Sequence, residues 1–518
     1  MTVPKTLDAP YQPPRIFGPN YRTATFGILL VVTLIAFEGM SIGAVMPAVS
    51  EDLDALDLYG MSFSAFLIAG LFANVVAGLW SDRRGHAWPF LLGVGLFVVG
   101  MAVAGAAVSK ELFIVARAVQ GFGGGAIIVA IYVMIARVYE PVARPRVFAA
   151  LSAAWVLPAL VGPGLGGLIA QTAGWRWVFY GIVPLVIPAL VMLLPALRLR
   201  EDRAAAPESV SQDAPESAFH EVPGVSLEAS GTARGSGSPD GGSGSPDEPG
   251  TEVAPAGAAG AAGAAGARSR PLAMTLAAAA TAIGAGALLY GVDRLHTAPV
   301  PGWIATVAGL VVLVAGLPRL LPSRALLFGR GLPTTIMMRG VLSSAFFGIN
   351  AFIPLLLTQV RGFSVIEGGV ALTIGALGWT TGSYLQTRRD FDRPRLVRLG
   401  AVSVTVGVLL TLLALVPGVT GWVTVPAWVV AGFGMGIGMT SVNITAMRQS
   451  PDAEQGANSA ALQVVDTLGS ALTIGFGGAL INVIGHDDIA TGYTTIAVLM
   501  AVIGALGVVV AGRMREAA

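Results

Sequence analysis

The feature that most constrains this chain is a repeated length. Apolar runs of about 18 to 29 residues recur along it, each long enough to cross a hydrocarbon core about 30 Å thick at about 1.5 Å of rise per residue. They lie at 23–48, 60–81, 88–108, 112–136, 146–171, 176–197, 271–292, 302–321, 332–358, 364–386, 396–417, 423–447, 456–484 and 490–511. Backbone N–H and C=O groups in lipid must bond within their own segment, so each run reads as a helix. A soluble domain of this length needs more charge to cover its surface. Here 12% of residues are charged and 54% hydrophobic, with a mean hydropathy of +0.74. The expected fold class is an all-α integral membrane protein of 14 spans.

Charge sets the expected orientation. With both termini cytoplasmic, Lys110, Arg176, Arg294 and Arg361 fall outside and Arg117 falls within a span. Every other Lys and Arg lies on the inner side or at an inner helix end. That is the positive-inside pattern, and it places the chain as a multi-pass protein of the cell membrane. Residues 1–22 are polar with no short apolar core, so the first span is read as the insertion signal, with no cleaved signal peptide. A net charge of +1 gives no footing for nucleic acid. The absence of cysteine excludes disulfides, thiolate nucleophiles and cysteine-based metal sites. The four histidines are scattered without metal-ligand spacing, so neither metal nor cofactor is expected. No nucleophile–base set and no phosphate loop is visible, so the chain does not read as an enzyme.

The spans divide six, two and six. An N-terminal tail (1–22) leads into a six-helix bundle (23–200). Residues 201–270, with "GSGSPDGGSGSPD" and "AAGAAGAAGA", are low in large apolar residues and read as a disordered cytoplasmic linker, a spacer or a docking tail. Two inserted helices (271–321) precede a second six-helix bundle and a short tail (322–518). "GLWSDRRG" from 78 and "GSYLQTRR" from 382 both follow the second helix of a six-helix set, as a duplicated unit would leave them.

Four stretches carry a family likeness. "GLWSDRRG" resembles the signature between helices 2 and 3 of the major facilitator superfamily, although His86 and Ala87 replace its last basic position. "RAVQGFGGG" (117–125) resembles the helix 4 signature, and "LVGPGLGG" (160–167) the helix 5 signature of antiporters. "AFEGMSIGAVMPAVSEDL" (36–53) resembles the helix 1 signature, with Glu38 where Asp is common. The closest likeness is to the fourteen-span drug:proton antiporter branch. It implies two six-helix bundles plus two inserted helices, alternating access, and antiport associated with Gly162, Pro163, Gly166 and Gly167.

The residues suggest how such a machine would work. Glu38 lies about 22 Å from the inner end of its span at about 1.5 Å per residue. An ionised carboxylate there is costly, so it is expected to face the bundle interior and to take up a proton readily. Arg117 lies about 9 Å from the outer end of an oppositely directed span, at matching depth. The two are expected to pair, either as a proton-coupling switch or as a permanent structural ion pair. Asp466 is a second buried acid, on a face with Gln463 and Ser470; a second proton, a cationic substrate or a structural role all remain open.

Asp82, Arg83 and Arg84, with Gly78 and Gly85 for close packing and the turn, are expected at a cytoplasmic gate. There Asp82 would meet the helix N-terminus near Gly456; the alternative is a topology signal alone. Gln386 occupies the Asp82 position in the second copy, so the latch is expected to be asymmetric. Phe37, Gln120, Trp155, Phe347, Asn350, Trp379 and Gln463 are the candidate cargo contacts. As a set they suit a hydrophobic small molecule, with the bilayer and protons as the other partners and no obligate protein partner evident. The leading expectation is a proton-coupled exporter of hydrophobic or amphipathic compounds. An uptake symporter or facilitator on the same fold is the alternative, and a non-transporting scaffold or sensor is disfavoured by the buried charges.

Overall fold

A computed structural model of the chain describes residues 16–19, 21–140, 142–198, 256–386, 391–451, 454–484 and 488–515. Thirteen helices among the described residues are long and apolar enough to cross a membrane. The N-terminal six are α1 (Arg22–Asp52), α2 (Tyr59–Arg84), α3 (Ala87–Gly105), α4 (Lys110–Val138), α5 (Arg144–Thr172) and α6 (Arg176–Leu197). The inserted pair is α7 (Leu272–Asp293) and α8 (Pro299–Gly316). The C-terminal set is α9 (Leu332–Val360), α10 (Val365–Leu385), α11 (Arg393–Thr411), α12 (Thr424–Gln449), α13 (Gln455–Val483) and α14 (Ile489–Val510).

The span expected at 364–386 is α10, the one helix of this set outside the thirteen. It is 21 residues long, but Glu367, its five glycines and the polar Thr380, Thr381 and Ser383 dilute its apolar character. Its first turn is fixed by a capping box, in which the Ser364 side chain accepts from the Glu367 backbone and the Glu367 carboxylate accepts from Ser364.

The duplication is visible in the packing. In the first half α1 packs on α5, and α2 and α3 both pack on α4. In the second half α9 packs on α13, and α10 and α11 both pack on α12. The halves meet by the same rule in both directions, the second helix of one against the fifth of the other: α2 on α13 and α10 on α5. Glycine allows these backbones to come close, as small residues do between membrane helices. A Cβ on Gly60 would lie 2.7 Å from the Gly478 Cα, and one on Gly167 would lie 2.7 Å from the Val365 carbonyl oxygen.

The expected linker 201–270 lies mostly outside the described residues. Its Ala-rich end is helical, because the helix that becomes α7 begins at Ala256, in keeping with the high helix propensity of alanine.

Candidate functional site

Two charge pairs sit inside the body. In the first half, Arg117 of α4 donates through Nη1 to Glu38 Oε1 of α1, and the two side chains are 2% and 1% exposed. The same nitrogen donates to Gln120 Oε1 at 2.6 Å, and Nε donates to the Ser62 carbonyl at 3.5 Å. The guanidinium also lies 4.6 Å from the Phe66 ring centroid, a cation–π contact that holds it on α2. The second carboxylate oxygen of Glu38 is buried with no hydrogen-bond partner, and so is the Gln120 amide nitrogen. Such unsatisfied atoms are costly in a buried site. Open space reaches this level: Gly39 is exposed, and nothing lies within 4 Å of where its Cβ would be.

In the second half, Arg339 of α9 donates through Nη2 to Asp466 Oδ2 of α13 at 2.8 Å and through Nη1 to Asn443 Oδ1 of α12 at 2.6 Å. Ser343 donates to the other oxygen of Asp466. The Arg339 and Asp466 side chains are 18% and 16% exposed. Sequence reading placed Arg339 among the inner-end cations and missed it as the partner of Asp466. The signal lay in its position seven residues into the span that starts at 332, opposite an acid at similar depth.

The candidate cargo residues separate. Phe347 and Trp379 join an aromatic cluster centred on Phe346, whose ring lies 5.3 Å from Phe347, 5.7 Å from Trp379 and 4.5 Å from Trp428. Asn350 accepts from the Trp428 indole at 3.1 Å. Trp428 was not singled out in the sequence because it lies near the end of its span. Trp155 and Gln463 are exposed and Phe37 half-buried. No ring contact joins Phe37 or Trp155 to the cluster among the described residues. Gln120 departs from the expectation: it is wholly buried and serves as the acceptor of Arg117, so it belongs to the charge pair rather than to a cargo surface.

The helix 5 motif divides between two neighbours. Gly162 and Gly166 face α1, where the Ser41 hydroxyl donates to the Gly162 carbonyl at 2.8 Å and a Cβ on Gly166 would meet Ser41. Pro163 and Gly167 face α10, where the Pro163 carbonyl abuts Gly369. Tyr59 donates to the Ala351 carbonyl at 3.0 Å and Ser64 to the Ala471 carbonyl at 2.7 Å, so both seams between the halves are shut at the end holding 59, 167 and 365.

The opposite end is parted. Asp82, Arg83 and Arg84 are exposed, and nothing lies within 4 Å of a Cβ built on Gly456, so the expected contact between Asp82 and that helix start is not made in this conformation. Gly85 has φ of 85°, a turn that favours glycine. Gly78 departs from the expectation of close packing, since its Cβ position is 3.7 Å from Val129, an ordinary contact with room for a side chain. In the second copy Gln386 is buried; it donates to the Gly436 carbonyl at 3.1 Å and accepts from Ser441 at 2.7 Å and Arg393 at 3.1 Å.

Comparison with known proteins agrees with this architecture. The peptide transporter POT bound to alafosfalin superposes with a TM-score of 0.61 over 97% of this chain and 96% of that one, at 13% identity. The nucleoside transporter NupG gives 0.57 over 95% and 100%, at 11% identity. Among curated proteins, the multidrug efflux pump SdrM of Staphylococcus aureus is 27% identical over 179 residues, 35% of this chain and 40% of the relative. Multidrug resistance protein 3 of Bacillus subtilis is 29% identical over 168 residues, 32% and 33% of the two chains. These alignments span well under half of either relative's length. The Major Facilitator Superfamily model matches residues 28–237 and 250–474, and with the duplicated six-helix packing this places the chain in that superfamily as a multi-pass membrane protein.

Proposed function

We propose that this protein is a proton-coupled antiporter that exports hydrophobic or amphipathic small molecules, with both termini in the cytoplasm. The observation that carries the reading is the sealed Glu38–Arg117 pair with one carboxylate oxygen left unsatisfied. Protonation of Glu38 cancels its attraction for Arg117, leaving the guanidinium with Gln120, Ser62 and the Phe66 face. A buried arginine without its counter-charge is costly, so proton uptake disfavours this packing and favours rearrangement of the bundle. The aromatic cluster around Phe346 offers an apolar surface with Asn350 at its edge. The efflux names of SdrM and multidrug resistance protein 3 support export as the direction. No nucleotide loop is present in the sequence, so the driving energy is assigned to an ion gradient.

The test is transport in inverted vesicles under an imposed pH gradient, with panels of hydrophobic cations, neutral drugs and lipids. Glu38→Gln, which mimics the protonated acid, is expected to abolish uphill transport while leaving the protein folded. Full uphill transport by Glu38→Gln would remove Glu38 from coupling.

A further inference from the structure

One face of α9 sets the chemistry between the halves. Arg339, Ser343, Phe346, Phe347 and Asn350 recur at helical spacing and share that face. From residue 339 to residue 350 it runs about 16 Å, at about 1.5 Å per residue. Asn350 stands at its closed end, next to Ala351, whose carbonyl accepts from the Tyr59 hydroxyl of the first half. Arg339 stands toward the parted end. Tyr132 of α4, in the first half, is 47% exposed and lies within electrostatic reach of Arg339, so the face looks across to the first half and not out to lipid.

The polar atoms left over on this face are donors. An indole N–H and a guanidinium can only donate, so an asparagine bonded to either must turn its carbonyl toward it. Asn350 accepts from Trp428 at 3.1 Å, and Asn443 of α12 accepts from Arg339 at 2.6 Å. Both asparagines are half-buried, and both side-chain amide nitrogens are left with no acceptor among the described residues. Carboxylates, by contrast, are already taken. Away from the span ends the described helices hold two, Glu38 and Asp466, and each is bonded to an arginine. The Trp428 ring is buried, with Phe346 stacked on it at 4.5 Å, so it offers no open π face to a cation.

We propose that the cargo is uncharged and carries hydrogen-bond acceptors, carbonyl or ether oxygens on a flat apolar body, and that Asn350 and Asn443 select it. The proposal rests on the transport reading above and names the cargo class of that same site. The two amide nitrogens donate to the cargo oxygens, and half-buried Phe347 and Trp379 take the apolar body. A cation entering this space meets no carboxylate that is not already paired. An anion reaches Arg339 only by displacing Asp466. Burying either charge without a partner is costly, whereas an uncharged acceptor meets donors that are waiting.

Equilibrium binding to the purified full-length protein in detergent, read by quenching of tryptophan fluorescence, tests the class with tricyclic probes of one size. N-Methylacridone is uncharged and has a carbonyl, 10-methylacridinium is a cation, anthracene-9-carboxylate is an anion, and 9-methylanthracene is uncharged with no acceptor. N-Methylacridone is expected to bind about tenfold tighter than each of the others, a margin of about 1.4 kcal/mol. Asn443→Asp and Asn350→Asp keep the oxygen that Arg339 or Trp428 bonds and replace the amide donor with a carboxylate oxygen. Each is expected to weaken N-methylacridone about tenfold and to strengthen 10-methylacridinium. Tighter binding of 10-methylacridinium or anthracene-9-carboxylate by the wild type, equal binding of 9-methylanthracene, or no binding of N-methylacridone overturns the assignment. An unchanged order in both folded variants overturns it too, and the wild-type ranking decides alone where a variant fails to fold. Binding needs no gradient, so loss of the export reading in inverted vesicles and loss of this cargo class are separate results.

Discussion

Each half carries a charge pair inside its bundle, Glu38–Arg117 and Asp466–Arg339, and the two are built for different conditions. Glu38 and Arg117 are sealed, with one carboxylate oxygen bonded by Arg117 and the other left without a partner. Asp466 and Arg339 are partly exposed, and both oxygens of Asp466 are engaged, one by Arg339 and one by Ser343. A desolvated pair responds strongly to the loss of one charge, whereas a partly exposed pair whose carboxylate has both oxygens bonded is buffered by its polar neighbours, although Arg339 Nε is itself buried without a partner. The first arrangement suits a switch. The second suits a site that can exchange partners without stressing the bundle.

The sharpest way to break this contrast is to remove the cation from each. Arg117→Leu leaves Glu38 buried without a counter-charge and is expected to lower stability by about 3–5 kcal/mol. The loss should shrink when Glu38→Gln is added, because the double variant leaves no orphaned charge. Arg339→Leu is expected to cost less, about 1–3 kcal/mol, since Asp466 keeps Ser343 and access to water. Thermal unfolding in detergent of wild type, Arg117→Leu, Glu38→Gln and their double variant closes the cycle, and Arg339→Leu measured beside them tests the ranking. Equal losses at Arg117 and Arg339 would mean that burial does not distinguish the pairs. Asp466→Asn should then sharpen the comparison in transport. If Asp466 handles cargo charge, export of hydrophobic cations should fall while that of neutral compounds persists; a uniform fall would assign it to coupling with Glu38.

How much of this was legible follows from what a linear pattern can carry. Span lengths and the positive-inside bias gave the helices and their division into sets, because lipid forces both onto the sequence locally. The Glu38–Arg117 pair was legible because two charges at matching depth in apolar runs have few other solutions. Arg339 was missed because a cation seven residues into a span reads equally well as an inner anchor; only its distance from Asp466, set by the crossing of α9 and α13, separates the readings. Gln120 was misread for a similar reason: i and i+3 on one helix turn its amide toward Arg117, and which way that face points depends on where α2 and α3 pack.

The two copies of the inner loop give the smallest effect and the finest test of asymmetry. Gln386 ties α10 to α12 through Gly436 and Ser441 and receives Arg393, so Gln386→Ala removes three hydrogen bonds in a buried site and is expected to cost about 1–3 kcal/mol. Asp82 makes no such bonds in this conformation and is exposed, so Asp82→Asn is expected to change stability by no more than about 0.5 kcal/mol. If Asp82 latches the parted end when the halves rock, its substitution acts on the closed state alone. Transport should then slow with unfolding unchanged, and a cysteine at Gly456 should become more reactive from the cytoplasmic side as the population shifts toward the parted form. Unchanged transport and unchanged reactivity in Asp82→Asn would reduce the loop to a topology signal carried by Arg83 and Arg84, and the asymmetry between the copies would then be one of packing only.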